Sequence, residues 1–388
     1  MYNWSKSALK GVEMLTNAGY EAYFVGGCVR DSILGREFND YDITTSALPD
    51  EIKKVFSDYT MLDIGIKHGT VTVFIDNLPL EITTYRIDGE YSDNRHPKQV
   101  EFSRSLCDDL SRRDFTVNAL AYNDGVVDLF GGLNDINNKI VRCVGDPDKR
   151  FYEDALRIIR ALRFASVLGF KIETETAESI KRNAHLLKNI SAERVNAELT
   201  KLICGQNAGR IISEFSDVFD IYFEGDSFVE ASNYIDNLPQ TATLRFACFF
   251  LNDKYYKEDL KALKSDNNTY KTVCHLIERF NDLDKPTKPF VKRFLNNYGY
   301  DVLVGVCKLK EAYGHDVGMV VDVADDIIER NECYKISQLL VNGDDVSALG
   351  FDGKKIGVVL NTVLELVVEE KISNNKEEIL SYIKENLI

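Results

Sequence analysis

The chain has 388 residues, 44% of them hydrophobic and 28% charged, with a formal charge of −15 and a pI near 5.0. That length exceeds one compact core and predicts roughly two to four domains. The acidic balance argues against a protein that coats nucleic acid indiscriminately, although it leaves room for a local basic groove, and no apolar run is long enough to span a bilayer.

Residues 4–18 carry helical periodicity through Ala8, Val12, Leu15 and Ala18, without the apolar centre and cleavage site of a signal peptide. A short buried strand at 22–25 then runs into Gly26-Gly27-Cys28-Val29-Arg30-Asp31, where a helix is expected over 28–35. Two glycines let the backbone pass close to a ligand, and the N–H groups of a helix start suit a phosphate. The next strand, 41–44, comes after Asn39 and brings Asp40 and Asp42 to one face, with Tyr41 and Ile43 towards the core. Further strands are expected at 69–75, 80–85 and 120–122, and helices near 48–56, 106–111 and 131–138. Residues 86–97 show no sustained periodicity and read as a long mobile loop.

After Asp146-Pro147 strands nearly vanish. Amphipathic helices are expected at 153–168, 176–188, 191–204 and 207–216, with more across 240–330 and a last group over 335–388. The predicted architecture is an α+β head with a small mixed sheet, followed by an extended all-α body. Its expected divisions are a head (1–145), a helical neck (146–205), a helical body (206–330) and a helical tail (331–388). Eight cysteines are scattered singly, without C-x-x-C pairs or histidines at ligand spacing, which fits reduced thiols in a cytoplasm and makes a zinc site a poor reading.

Asp40 and Asp42 alone are an ordinary pair, since D-x-D is common on solvated strand edges. Placed just after a Gly-Gly-x-Val-Arg-Asp turn, they form a natural site for Mg²⁺ and a nucleoside triphosphate. Arg30 could meet a triphosphate oxygen, with Asp31 holding Arg30 or the helix start. Glu81 is the candidate third acid, because Leu80, Ile82 and Thr84 take the other face of its strand. Arg112 and Arg113 precede Asp114, a carboxylate able to fix one of them, and guanidinium forks suit triphosphate or ribose. Asp128-Leu129-Phe130-Gly131-Gly132 reads as a tight structural turn. Asp154, Arg157, Arg160 and Arg163 recur every three residues and read as one ridge of a helix. A salt-bridged exposed ridge explains the spacing; so does base chemistry. Cytosine and adenine both show an amino group beside a ring acceptor, so Asp154 with Arg157 could accept CTP and ATP and reject UTP and GTP.

Together these segments resemble the class II tRNA nucleotidyltransferases, the CCA-adding enzymes of the polymerase β superfamily. The resemblance runs in order through Gly26 to Asp31, Asp40-x-Asp42, Arg112 to Thr116, Asp128 to Gly132, Glu153-Asp154-x-x-Arg157 and Ser191 to Arg194 with Glu198-Leu199. It covers about the first 205 residues; Gly343-Asp344-Asp345 and the helix after Lys354 match only loosely. It implies addition of C, C and A to the 3′ end of tRNA from CTP and ATP, with Mg²⁺ on Asp40 and Asp42. Gly26, Gly27 and Arg30 would hold triphosphate, and Arg112, Arg113 and Asp114 sugar or phosphate. Asp154 and Arg157 would be the amino-acid template, with Arg160 and Arg163 on the nucleotide and primer path.

In that family the loop through Asp88 and His96 serves the change from CTP to ATP and CC-only enzymes lack it, so its presence favours full CCA addition over CC addition alone. A-adding and poly(A) activity stay as alternatives, and Asp63 to Thr70 looks more like the CCA-adding form than a poly(A) polymerase. DNA and membranes are not expected partners. Two other classes are alternatives. A phosphohydrolase would use His315-Asp316, with His275 the candidate upstream, and a non-catalytic RNA-binding protein would be expected to have lost an aspartate from the Asp40/Asp42 pair.

Overall fold

The computed structural model describes residues 4–63, 65–89, 100–223, 228–283 and 286–387. Its contacts divide the chain into two units, Met1–Ser232 with Asp253–Ser265, and Asn233–Asn252 with Asp266–Ile388.

The first unit opens with α1 (Lys6–Asn17), capped by Ser5 Oγ, which accepts from the Ala8 N–H at 3.0 Å. Next in order are β1 (Ala22–Val25), α2 (Gly27–Ile33), β2 (Tyr41–Thr45), α3 (Pro49–Val55), β3 (Thr60–Leu62), β4 (Thr70–Ile75) and β5 (Leu78–Thr84). A small hairpin of β6 (Arg86–Asp88) and β7 (Val100–Phe102) comes after them, then α4 (Leu106–Ser111), β8 (Leu120–Asn123), β9 (Gly125–Asp128) and α5 (Gly132–Asn138). The main sheet runs β3-β4-β5-β2-β1-β8-β9; β2 and β5 are parallel and their neighbours antiparallel. A mixed sheet with helices is the architecture expected for the head.

Strand alternation divides the sheet into a structural face and a chemical one. Ile43, Val71, Val73, Ile75, Leu80 and Ile82 are fully buried, as are Ala8 and Leu15 of α1 and Ile52 of α3, the two helices that contact β4 and β5. α1 approaches so closely that a Cβ on Gly11 would lie 2.7 Å from Leu80 Cδ1. Truncating Leu80 to alanine there would cost about 2–5 kcal/mol. Asp42 and Glu81 are Cα partners across β2 and β5, so they share the other face.

The expected loop over 86–97 is corrected at its start, where Arg86–Asp88 pairs with Val100–Phe102 as strand. Residues 90–99, with Glu90, Tyr91, Arg95, His96 and Pro97, lie outside the described residues.

Beyond the head, β10 (Ile140–Val141) pairs in parallel with β11 (Lys171–Ile172). Between them lie α6 (Pro147–Glu153) and α7 (Leu156–Leu168), which pack against α8 (Thr174–Asn183) and α9 (Ala192–Ile203) respectively. The helix expected over 153–168 therefore starts at Leu156, after a break at Asp154 that ends α6. Asp154 is extended at φ −140°, ψ 101°, and its Oδ1 accepts from the Leu156 N–H at 3.1 Å. A short carboxylate that bonds nearby backbone competes with helix propagation, and the arginine periodicity carries no sign of that.

The second unit is helical among its described residues. Val359, Leu360, Val363, Leu364 and Val367 line one face of the helix Lys354–Val368 and bury against Val346, Ile379 and Ile383. No helix among the described residues is long and apolar enough to cross a membrane.

Candidate active site

Gly26 ends β1 at φ +78°, a conformation that side chains rarely adopt. A Cβ there would lie 3.2 Å from Arg113 Nη1 and 3.8 Å from Asp42 Oδ2. The turn therefore holds backbone, guanidinium and carboxylate in one small space. Gly27 opens α2, and a Cβ on it would stand 3.7 Å from Arg30 Nη2. Asp40 sits exposed just before β2, Asp42 is half-buried within it, and Glu81 is exposed on the adjacent strand.

Burial pushes the Asp42 carboxyl up to about 6; Glu81 and Asp40 add to the rise and Arg113 opposes it. A carboxylate that ionises reluctantly beside two others is a natural complement to a divalent cation, and its hard oxygen donors fit one. Among the described residues no group of three His, Cys, Asp or Glu forms a ready cage. Mg²⁺ needs none, since it takes one or two carboxylates and fills its shell with water and phosphate oxygens. The hydrolase reading gains nothing in the second unit, where His315 packs edge-on to Phe280 and His275 to Tyr298.

The two arginines are held by a residue that the sequence reading missed. Asp109 Oδ1 accepts from Arg112 Nε at 3.0 Å and Nη2 at 2.6 Å, while Oδ2 accepts from Arg113 Nη2 at 3.2 Å. The signal was available: Asp109 precedes the arginines by three and four positions on α4 and the turn that ends it. Asp114, expected to fix one of the pair, instead receives Arg160 Nε at 2.9 Å and Nη2 at 2.7 Å.

Asp114 anchors a second network. Its Oδ1 accepts from Asn118 Nδ2 at 3.0 Å, and Asn118 Oδ1 accepts from Arg30 Nη1 at 2.5 Å. Burial would raise the Asp114 carboxyl, yet Arg160 and Asn118 hold it far below the usual carboxylate range. Arg30 is also held by Asp31 at 2.7 Å. Glu198 joins Arg163 at 3.1 Å and Arg160 at 3.7 Å. Phe164 lies beneath all three guanidiniums, 4.0 Å from Arg163, 4.9 Å from Arg30 and 5.4 Å from Arg160. Neither Phe164 nor Asn118 stands out as a functional residue in the sequence.

The third group is the expected template pair. Asp154 Oδ2 accepts from Arg194 Nη2 at 2.9 Å. Arg157 turns inward, donating to Glu153 at 2.8 Å and to the Arg112 carbonyl at 2.8 Å. The four-residue ridge dissolves because Asp154 stands off the helix and Arg157 is buried. The turn at Asp128 is structural, as expected: its carboxylate accepts from the Gly132 and Leu133 N–H groups, each at 2.9 Å.

Comparison with known proteins extends the likeness to the full chain, well past residue 205. Residues 22–142 match the Poly A polymerase head domain, and 169–217 a probable RNA- and SrmB-binding site of polymerase A. Residues 237–383 match a putative domain 2 of tRNA nucleotidyltransferases. The CCA-adding enzyme of Ligilactobacillus salivarius is 38% identical over 98% of this chain and 96% of its own length. That of Staphylococcus aureus is 35% identical over 96% of each. The crystal structure of the Bacillus stearothermophilus CCA-adding enzyme in complex with CTP superposes with a TM-score of 0.85 at 32% identity, covering 98% of this chain and 97% of that one. Nucleotidyltransferases of this superfamily generally use a divalent metal. With family models across most of its length and curated relatives spanning nearly all of it, the chain belongs to the CCA-adding enzyme family of tRNA nucleotidyltransferases.

Proposed function

We propose that this protein builds the CCA end of tRNA, adding two cytidylates and then an adenylate to the 3′ terminus from CTP and ATP and releasing pyrophosphate. The observation that carries this reading is likeness along 98% of the chain, rather than in the head alone, to a CCA-adding enzyme. None of the eight cysteines is in a disulfide, in keeping with a reducing compartment, and we place the enzyme in the cytoplasm.

Asp40 and Asp42 would hold Mg²⁺, with Glu81 beside them on β5. Held by these acids, a divalent ion would supply the charge that lowers the pKa of an attacking ribose hydroxyl and steadies triphosphate and pyrophosphate. Arg113 has a buried Nε with no hydrogen-bond partner among the described residues, and it offers donors to phosphate beside Gly26 and Gly27. Arg112 shares its anchor; Arg30, Asp114, Arg160 and Arg163 shape the wall that receives sugar and phosphate. Asp154 accepts from the amino group of cytosine or adenine while Arg157 donates to the ring nitrogen; the carbonyl of uracil or guanine would repel the acid. To do so each exchanges a protein partner for the base, Arg194 releasing Asp154 and Glu153 releasing Arg157.

The test is a product ladder on tRNA that ends before the first C. CTP alone should extend it by two residues, CTP with ATP by three, and ATP alone by none. Arrest after two with both nucleotides would mark a CC-adding enzyme, and long adenylate tails a poly(A) polymerase.

A further inference from the structure

We propose that Asp109 is a positioning residue for nucleotide binding: from the core of the head it fixes Arg113 beside Asp42 and Arg112 beneath Arg157. The inference rests on the CCA-adding reading above. Asp109 is fully buried in α4, and its oxygens are shared between the two arginines and Thr44, whose hydroxyl donates to Oδ2 at 3.0 Å. Thr44 lies two residues beyond Asp42 on the same face of β2. One carboxylate thus joins the strand that carries the metal-holding acid to the two cations that face substrate.

Geometry separates this role from simple stabilisation. A buried charge is weak evidence for stability, because apolar residues of similar volume usually do as well. Here the bound guanidiniums still reach outward, with 17% and 19% of their side chains exposed. Arg113 turns Nη1 towards the Gly26 turn and Asp42. The Arg112 carbonyl receives Arg157 Nη2 at 2.8 Å, so the base-reading arginine leans on backbone that Asp109 holds in place. Without Asp109, Arg113 would be left unanchored beside Asp42, which faces the same Gly26 turn.

The test compares Asp109→Asn, which keeps the side-chain shape and removes the charge, with wild type in steady-state addition to tRNA. The KM for CTP and for ATP should each rise about tenfold, with the KM for tRNA within about twofold of wild type. Equilibrium binding of CTP should weaken in parallel. In an Arg113→Ala background the substitution should add little further, because both changes remove one linked unit. Unaltered nucleotide KM values, or effects that multiply in the double variant, would overturn the inference. If Asp109→Asn does not fold, Thr44→Val removes one bond to the same oxygen. It should raise nucleotide KM about threefold with tRNA KM unchanged, and nucleotide KM values equal to wild type would overturn the inference equally. Failure of the wild-type protein to extend tRNA would instead defeat the functional reading itself.

Discussion

Glu153 Oε2 accepts from Arg157 Nη1 at 2.8 Å, so the arginine read as half of a base-selecting pair is turned back on its own chain. Asp154, the other half, is taken by Arg194. Both partners carry the charge that the base would present only as a partial dipole. The resting arrangement therefore keeps each group satisfied, and on the proposed reading a base with the right edge would have to compete for it.

Removing the acceptor should relax selection. Asp154→Ala is expected to lower the preference for CTP over UTP, measured as a ratio of kcat/KM values, by about 10–100-fold. An unchanged ratio would remove Asp154 from base recognition.

Asp42 makes a pH-dependent contribution of known sign. Its folded pKa of about 6 exceeds the ~3.9 of an unfolded aspartate, so the folded chain binds the extra proton between those values. Metal-free stability should fall as pH rises from about 4 to about 6 and then level, by roughly 3 kcal/mol at most. Asp42→Asn removes that dependence. Denaturant unfolding in a chelator should show the variant gaining on wild type across that window, and added Mg²⁺ should shrink the gain. A gap that stays constant with pH would contradict the burial argument.

Phe164 supports three guanidiniums, with Arg163 closest at 4.0 Å. Phe164→Leu keeps most of the apolar volume and removes the ring quadrupole. It should cost about 1–3 kcal/mol of stability and raise nucleotide KM severalfold. Wild-type values for both would reduce the ring to a filler.

Gly132 opens α5 where a Cβ would stand 2.2 Å from the Thr116 carbonyl oxygen. Backbone cannot yield as a side chain can, so Gly132→Ala should cost about 3 kcal/mol or more in thermal or denaturant unfolding. A loss below about 1 kcal/mol would show that the turn relaxes easily.

The strands beside the site were legible because alternation leaves a mark: Ala22–Val25 and Tyr41–Thr45 fall almost where the apolar pattern puts them. β9 was not foreseen, because Val126 and Val127 are too short a run and Asp124, at φ +58°, makes the turn without an obvious signature. The acids around Asp42 could be placed from their spacing. Asp31, read as a partner for Arg30, does hold it, at 2.7 Å; what could not be read were the distant partners of the arginines. Arg160 finds Asp114, 46 residues away, and Arg30 finds Asn118, 88 residues away, choices fixed by tertiary packing. Asp109 is the exception, since its i,i+3 and i,i+4 relation to Arg112 and Arg113 was open to inspection.

The account depends most on Asp42 acting with a divalent ion in transfer rather than in folding. Purified Asp42→Ala should be given tRNA lacking its 3′ end, CTP, ATP and saturating Mg²⁺, with tRNA binding measured alongside. The prediction is tRNA affinity close to wild type with extension reduced about a thousandfold or more for both nucleotides. A ladder of C, C and A formed at the wild-type rate would contradict it.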